Sequence, residues 1–540
     1  MTVLRADDLP LYYNAVDILE HNLTTRADKI ALYSDARTLT FREVDAEVNQ
    51  VGHALRGLGV RYGESVALIL LDTAEFVTTF FGTLKIGAVA ASFNTLLTPE
   101  EYRFMLRDCR ARVVVIHEAL LPKLEAIRDE LPDLAHVVVV GSPLRDDDAS
   151  YAAWIAHQPT SLWAAHTHRE DACCLNFSSG TTGEPKGIVH AHKDLPLTAH
   201  NWGRNVLGLG EDDRTFAAAK LFFTFGTGGN LIFPWSVGAS IVLFAGPPRD
   251  PRNVLDIVAR FQPTILFNAP TGYALMMAVP DFRSTYDLSS LRVCVSAGEA
   301  LPAPIWTQWK DLTGLDIVDG IGSTENYHIF ISNRPGDIRP GSSGKPVPGY
   351  DLRLVDEHGA PAPDGEIGNL HVRGETASLC YLHQYDKSRA TFLGEWLVTG
   401  DKYRVDADGY YWHEGRSDDM LKVGGIWVSP VEVESCLLSH AAVLECAVVG
   451  AADEADLVKP KAFVVLADGH APSDPLTEAL IAHCVAHMAG YKRPRWVVYV
   501  PELPKTATGK IQRFRLRSEG AEAAGRGLDV AGGASPRPLL

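Results

Sequence analysis

No stretch of the 540-residue sequence approaches the roughly 20 consecutive apolar residues of a membrane-spanning helix. A membrane-embedded protein is therefore not expected. The opening segment, MTVLRADDLPLYYNAVDILE, carries acids early and has no apolar block of the signal-peptide kind. Cysteine is sparse. Cys109, Cys173, Cys174, Cys294, Cys380, Cys436, Cys446 and Cys484 include no CxxC pair, which argues against a zinc site of that type and for reduced, buried thiols. Positive charge is also in deficit. With 50 Lys and Arg against 67 Asp and Glu, the net charge is −17, which disfavours nucleic acid and anionic membranes as partners. The expectation is a reduced, soluble, cytoplasmic protein. Any anionic ligand would need a local exception, such as backbone N–H groups, a helix N-terminus or a few placed Lys and Arg.

Composition is otherwise that of a packed globule, with 46% hydrophobic and 22% charged residues. A chain of 540 residues exceeds one compact core and suits a large multi-layer domain plus a smaller one. The first 170 residues alternate helical and strand patterns: TFREVDAEVNQVGHALRGLGV, ESVALILL, AEFVTTFFGTLKIGAVAAS, PEEYRFMLRDCRA and ARVVVIH. A second series runs through ASIVLFA, NVLDIVARFQ, TILFNAP, LRVCVSAG and LDIVDGIG. Such alternation predicts α/β layers with parallel strands. From about 340 the chain is dense in Gly and Pro with short alternating runs, which predicts a β-rich subdomain. After Gly415, VSPVEVESCLLSH, VLECAVVGAAD, KPKAFVVLAD and DPLTEALIAHCVAHMA predict a small α+β unit. The expected division is an N-terminal α/β domain over 1–417, a C-terminal domain over 418–518 and a disordered tail over 519–540.

The segment with the most specific chemistry is LNFSSGTTGEPKGIVHAH, residues 175–192. Ser178, Ser179, Gly180, Thr181, Thr182 and Gly183, with Lys186, form a run in which backbone N–H groups and hydroxyls can converge on phosphate oxygens and one Lys adds charge. It is not the P-loop of NTPases, because Pro185 precedes Lys186 and Gly187 follows it. Taken alone, the run is equally a polar loop.

The run has company in a fixed order. Residues 319–325 read Asp-Gly-Ile-Gly-Ser-Thr-Glu, 399–401 Thr-Gly-Asp, 415–425 Gly-Arg-Ser-Asp-Asp-Met-Leu-Lys-Val-Gly-Gly, and 504–510 Pro-Lys-Thr-Ala-Thr-Gly-Lys. Together these five segments resemble the signature motifs of the adenylate-forming superfamily, which includes acyl-CoA synthetases, peptide-synthetase adenylation domains and luciferases. The resemblance implies ATP, Mg²⁺ and coenzyme A as cofactors and a carboxylic acid as substrate. It implies attack of the acid on the α-phosphate, release of pyrophosphate, and acyl transfer to a thiol. Two anions must meet in the first step, so positive charge is required. Lys510 is the implied catalytic lysine, Glu325 the Mg²⁺ ligand and Thr324 a donor to phosphate. Asp319 and Gly320 would border the adenine, as would Gly298 and Glu299 in SAGEALP, a loop that also walls the acid pocket through Ser296 and Ala297. Ile321 stands where the family often has a stacking tyrosine. Asp401 would accept from the ribose hydroxyls, with Arg416 adding charge. Asp418 matches the family's hinge, which makes the C-terminal domain mobile, and Gly424 and Gly425 match the stretch lining the pantetheine channel. Tyr491-Lys492-Arg493-Pro494 would border the CoA phosphates or form a solvated basic turn.

Within the superfamily, KLFFTFGTGGNLIFPWSVGAS (220–240), DGIGSTENYHIFISN (319–333) and GGIWVSPVEVE (424–434) are most similar to the benzoate–CoA ligase branch. That similarity implies an aryl or other cyclic acid in an apolar pocket lined by Phe225, Gly226, Gly272, His328 and Ile329. Phe225 replaces a common tyrosine, and Thr227, Gly229 and Gly272 are small, which suggests either a widened pocket for a larger cyclic or polycyclic acid or neighbouring side chains repacked into the space. Phe223, Thr224 and Phe225 stand where amino-acid adenylation domains place an Asp, which disfavours an α-amino acid. Three alternatives stay open: delivery to a carrier-protein pantetheine, an enzyme of the thioesterification half alone, and a nucleotide-binding module without turnover. The oligomeric state is also open, a homodimer included.

Overall fold

The structure is a computed structural model that describes residues 2–178, 185–247, 250–417, 419–423, 426–453, 457–505 and 511–517, with backbone alone for Ile426 and Trp427. The chain divides into two compact units, Met1–His413 and Glu414–Leu540. The sequence reading placed that junction at 417/418.

In the first unit, a nine-stranded sheet runs in the order Lys345–Pro346, Ile329–Ser332, Ile317–Gly322, Val293–Ser296, Ile265–Asn268, Arg214–Ala217, Ser240–Val242, Ile30–Tyr33, Thr38–Thr40. Its centre is parallel and its two ends antiparallel. An eight-stranded sheet runs Cys380–Tyr381, Lys186–Ala191, Ala172–Ser178, Val89–Ser92, Ser65–Ile69, Val113–His117, His136–Val140, Ala149–Ser150. It is parallel except for its first two strands.

Both sheets are apolar on both faces, as parallel sheets covered by helices must be. Val66 and Leu68 share one core with Ile265 and Phe267, whereas Ala67 and Ile69 belong to a second core and Leu266 to a third. Strand alternation thus assigns one core shared by the two sheets and one outer core to each. The helix Phe41–Gly57 starts on a reciprocal cap: Thr40 Oγ1 accepts from the Glu43 N–H at 3.3 Å, and Glu43 Oε2 accepts from the Thr40 N–H at 2.8 Å. Buried Lys85 on the next helix, Ala74–Lys85, reaches Glu20 at 2.6 Å and Asp45 at 3.2 Å.

The expected β-rich subdomain is a five-stranded sheet, Asp351–Val355, Gly368–Arg373, Trp396–Val405 and Phe392–Leu393, with Tyr411–Arg416 paired to Trp396–Val405. The second unit is α+β. Val443–Ala452, Val458–Leu466 and Trp496–Tyr499 form a three-stranded sheet, packed with the helices Pro430–Leu438 and Asp474–His487. Among the described residues no helix is long and apolar enough to cross a membrane.

Candidate active site

Parallel α/β sheets bind ligands at the carboxyl ends of their strands, where loops leave toward opposite faces. The predicted residues gather at such ends. The strands Ala172–Ser178 and Lys186–Ala191 are antiparallel partners, with Ser178 opposite Lys186. Ser179, Gly180, Thr181, Thr182 and Gly183, between these stems, lie outside the described residues. Lys186 Nζ stands 3.6 Å from Glu325 Oε1 and 4.6 Å from the centre of the Tyr381 ring. The Tyr381 hydroxyl donates to Glu325 Oε1 at 2.8 Å. A cation, a carboxylate and a phenol from distant parts of the chain thus converge on one point.

Thr324 and Glu325 sit on the short 3₁₀ turn Thr324–Asn326 that follows the strand Ile317–Gly322. The turn is clamped from below. His190 Nε2 meets the Thr324 carbonyl at 2.6 Å, and its Nδ1 meets Asp194 Oδ2 at 2.8 Å, with both side chains fully buried. Each ring nitrogen thus faces an oxygen, which fixes the plane of the imidazole. The next residue after the turn, Tyr327, has φ 67° and is buried, a left-handed conformation that is costly for an aromatic residue. The sequence reading assigned no role to His190, Asp194, Tyr327 or Tyr381.

Ser296, the last residue of its strand, is in register with Asp319 on the adjacent parallel strand Ile317–Gly322. Burial pushes the Asp319 carboxyl well above the usual range, against the pull of the neighbouring Ser296 hydroxyl and the Leu301 and Gly320 N–H groups. Asp319 Oδ1 has no hydrogen-bond partner among the described residues. Ala297 is buried, and Gly298, with φ 96°, is exposed. Glu299 Oε2 accepts from the Thr271 hydroxyl at 3.3 Å, which ties this loop to the start of the helix Pro270–Met277. A Cβ at Gly320 would stand 2.7 Å from the Ile331 carbonyl oxygen, so this glycine serves close strand pairing. Asp401 is buried, with His413 Nε2 3.7 Å from its Oδ1.

The predicted acid pocket is a cage of rings. His328 lies 5.5 Å from Phe225, 5.3 Å from Trp202 and 4.5 Å from Phe233, centre to centre, and Phe225 is 5.8 Å from Phe267. Two π-helical turns, Ala199–Arg204 and Gly228–Ile232, carry Trp202 and lead into Phe233, and such turns recur at functional sites. Burial pushes the His328 imidazole down to about 3. Its Nε2 approaches the Phe225 carbonyl at 3.4 Å, and its Nδ1 has no partner among the described residues. Ile329 is buried beside it.

Widening of this pocket is not what the small residues do. A Cβ at Gly272 would stand 2.2 Å from Asn268 Oδ1, and one at Gly229 2.7 Å from two atoms of the Phe267 ring. The space is filled by the protein's own side chains. Thr227 spends its hydroxyl on the Leu221 and Phe223 carbonyls, and Gly226 is fixed by the Lys220 carbonyl oxygen, 2.1 Å from where a Cβ would be.

The donor set fits the implied ligands. Mg²⁺ takes one or two carboxylates and completes its shell with water and phosphate oxygens, which a lone, partly exposed Glu325 allows. The unpartnered Asp319 Oδ1 is a buried polar atom awaiting a donor. Asp418, Gly424, Gly425 and Lys510 lie outside the described residues. Arg416 ends the strand Tyr411–Arg416 and is exposed, and Lys492 is held by Glu432, at 2.7 Å from both carboxylate oxygens.

Comparison with known proteins adds the following. The model of the AMP-binding enzyme family matches residues 19–382, and that of the AMP-binding enzyme C-terminal domain matches residues 432–510. The benzoate–CoA ligase of Thauera aromatica is 48% identical over 514 residues, 94% of this chain and 97% of that one. A crystal structure of the anthranilate–CoA ligase AuaEII in complex with anthranoyl-AMP superposes with a TM-score of 0.94 at 64% identity, covering 97% of this chain and 100% of that one. A benzoate–CoA ligase from Burkholderia xenovorans LB400 gives a TM-score of 0.87 at 42% identity, covering 94% and 100%.

Proposed function

The chain belongs to the AMP-binding enzyme family, in its benzoate–CoA ligase branch, and on that basis we propose that its acid is a single-ring aromatic carboxylate bearing a hydrogen-bond donor, 2-aminobenzoate first among them. The enzyme is an ATP-dependent aryl acid–CoA ligase. The carboxylate attacks the α-phosphate of ATP, pyrophosphate leaves, and the CoA thiol takes the acyl group from the adenylate and releases AMP.

The observation that carries the choice of acid is His328. A ring nitrogen that approaches a carbonyl is the protonated one, so Nε2 carries the hydrogen and Nδ1 keeps a lone pair. In this proposal that lone pair accepts from an amino or hydroxyl group on the substrate ring, and Phe225 and Phe267, edge to face with centres 5.8 Å apart, supply apolar surface beside it. Asn268 and Phe267 fill the space beside Gly272 and Gly229, which supports a single-ring acid over a fused one.

At the phosphate end, Lys186 and Lys510 supply positive charge as the two anions meet. Glu325 holds Mg²⁺, which when bound neutralises phosphate charge. Tyr381 fixes the Glu325 carboxylate through its hydroxyl, and His190 fixes the carbonyl of Thr324. Asp401 takes the ribose, and Asp418 is the hinge. The compartment is the cytoplasm, and the acceptor is free CoA rather than a carrier protein.

The test is AMP release from ATP and Mg²⁺ with benzoate, 2-aminobenzoate, 2-hydroxybenzoate and 2-naphthoate, each with and without CoA. The expected result is the highest kcat/KM with 2-aminobenzoate and accumulation of its CoA thioester with CoA alone. Equal turnover of 2-naphthoate and 2-aminobenzoate would overturn the proposed acid while leaving the ligase intact.

A further inference from the structure

Far from these residues in sequence, the C-terminal unit gathers a second set of chemistry-bearing side chains. Cys436 lies on the helix Pro430–Leu438, and His483 and His487 lie on the helix Asp474–His487. The two helices pack through Val433, Leu437, Leu480 and Cys484. Residues four apart share one face of a helix, so His483 and His487 point the same way, with ring centres 4.3 Å apart. One ligand atom from each of Cys436, His483 and His487 lies within 4.8 Å of the others. Cys436 and His483 are half-buried and His487 is exposed, so an ion can enter from solvent.

We propose that Cys436, His483 and His487 form a binding site for a divalent transition metal, zinc in the first instance, that braces these two helices against each other.

The donors match. One thiolate and two imidazoles are the borderline-soft set that zinc prefers, and a tetrahedral ion wants its donor atoms about 3.3–3.6 Å apart, given Zn–S near 2.3 Å and Zn–N near 2.0–2.1 Å. The donor atoms lie within 4.8 Å of one another, so closing to that spacing needs only small side-chain adjustments. The tautomers are also set. His487 Nδ1 faces the His483 carbonyl at 2.8 Å, which places the hydrogen on Nδ1 and leaves Nε2 as the ligand atom. The Ser439 hydroxyl donates to the Cys436 carbonyl at 2.6 Å, so toward His483 Nε2, at 2.7 Å, it accepts, and His483 Nδ1 is left as the second ligand atom. Outer partners that fix ring tautomers are the ordinary companions of metal-binding histidines. The Cys484 thiol neighbours that of Cys436, and Glu432 is the nearby acid. The His440 ring centre is 5.4 Å from that of His483.

This site would escape a search for paired cysteines. Its ligands are a single cysteine and an i, i+4 histidine pair 47 residues further on.

The test uses the full chain, stripped with chelator and kept reduced with a phosphine. ZnCl₂ is titrated by calorimetry and CoCl₂ by absorption. The expected result is about one zinc per chain, a thiolate-to-cobalt charge-transfer band, and an upward shift of the thermal transition on adding zinc. Cys436→Ser removes the band, and His487→Ala, at an exposed position, weakens zinc binding at least about tenfold, the scale on which even outer partners of a metal act. Binding that is undiminished in both variants, or no binding by the reduced wild-type chain, overturns the proposal. AMP release by both variants, measured alongside, certifies that they are folded.

Discussion

Lowering the pH from 7 to 5 is expected to unload a specific part of the stability of the N-terminal unit through His192. This residue is fully buried, and its Nδ1 accepts the Ala15 N–H at 3.0 Å, which only a neutral imidazole can do. Burial holds it down to about 4, although Asp171 and Asp194 pull the other way. An unfolded histidine titrates near 6.5. A base whose folded pKa is depressed contributes its full share above the unfolded value and loses it as pH falls from about 6.5 toward 4. The loss is about 1.4 kcal/mol per pH unit, hence about 2 kcal/mol at pH 5. Buried Asp72 and Asp319, whose pKa values are raised, act with the opposite sign when they protonate. The total curve therefore mixes terms, and the clean quantity is a difference. His192→Asn keeps an acceptor for Ala15 and removes the titration. Urea unfolding, followed by the fluorescence of buried Trp202, Trp235 and Trp309, is run on both proteins at both pH values. The stability gap between wild type and variant is expected to shift by about 2 kcal/mol against the wild type. A gap that stays constant would refute the reasoning.

Three further substitutions address the site. Tyr381→Phe removes a donor from the Glu325 carboxylate, a charge-assisted hydrogen bond of about 1.5–3 kcal/mol, so kcat/KM for AMP release is expected to fall at least about tenfold with little change in Tm. His328→Leu deletes the acceptor in the aromatic cage. The preference for 2-aminobenzoate over benzoate is expected to drop about tenfold, as for a neutral hydrogen bond of about 1.4 kcal/mol, in paired kcat/KM measurements. Gly272→Ala drives a Cβ against the Asn268 amide, so Asn268 is displaced from the Ala269 N–H that it accepts at 2.9 Å, at a cost of about 1–3 kcal/mol in thermal unfolding and with a raised KM for the acid.

The layers were readable because they rest on local patterns. The 3.6 period with Thr40 and Glu43 at its start announces the helix Phe41–Gly57, and the apolar runs VVVIH and ILFN announce strands covered on both faces. The Lys186–Glu325 contact follows from two motifs whose order the sequence displays. Tyr381 does not, because it joins Lys186 across 195 positions and Glu325 across 56, and one tyrosine in YLHQY carries no signal of that. The choice between widening and repacking at Gly272 has the same origin, because the residue that fills the gap, Asn268, sits four positions upstream on a strand end. The cage also depends on the backbone departing from the α-helix at Ala199–Arg204 and Gly228–Ile232, a choice that tertiary packing makes and that periodicity does not record.

The proposed arrangement accounts for one site handling both a polyanionic nucleotide and an apolar ring. Charge is confined to one end, where Lys186 comes from the antiparallel margin of the eight-stranded sheet and Glu325 from the turn that leaves the nine-stranded one. The other end is kept neutral. His328 is the one titratable side chain in the ring cage described above, and burial pushes its imidazole down to about 3, so it is uncharged near neutral pH. A cation there would compete with Lys186 for the substrate carboxylate and could hold the acid back to front. A neutral imidazole can accept from a ring substituent but offers the carboxylate no charge. On the proposed reading the ring enters the cage, and the carboxylate is left to the end where the phosphates and their counter-charges meet. On this reasoning a lysine at position 328 should impair adenylation by misorienting the acid, raising KM and lowering kcat together. A change in KM alone would mean that orientation is set elsewhere.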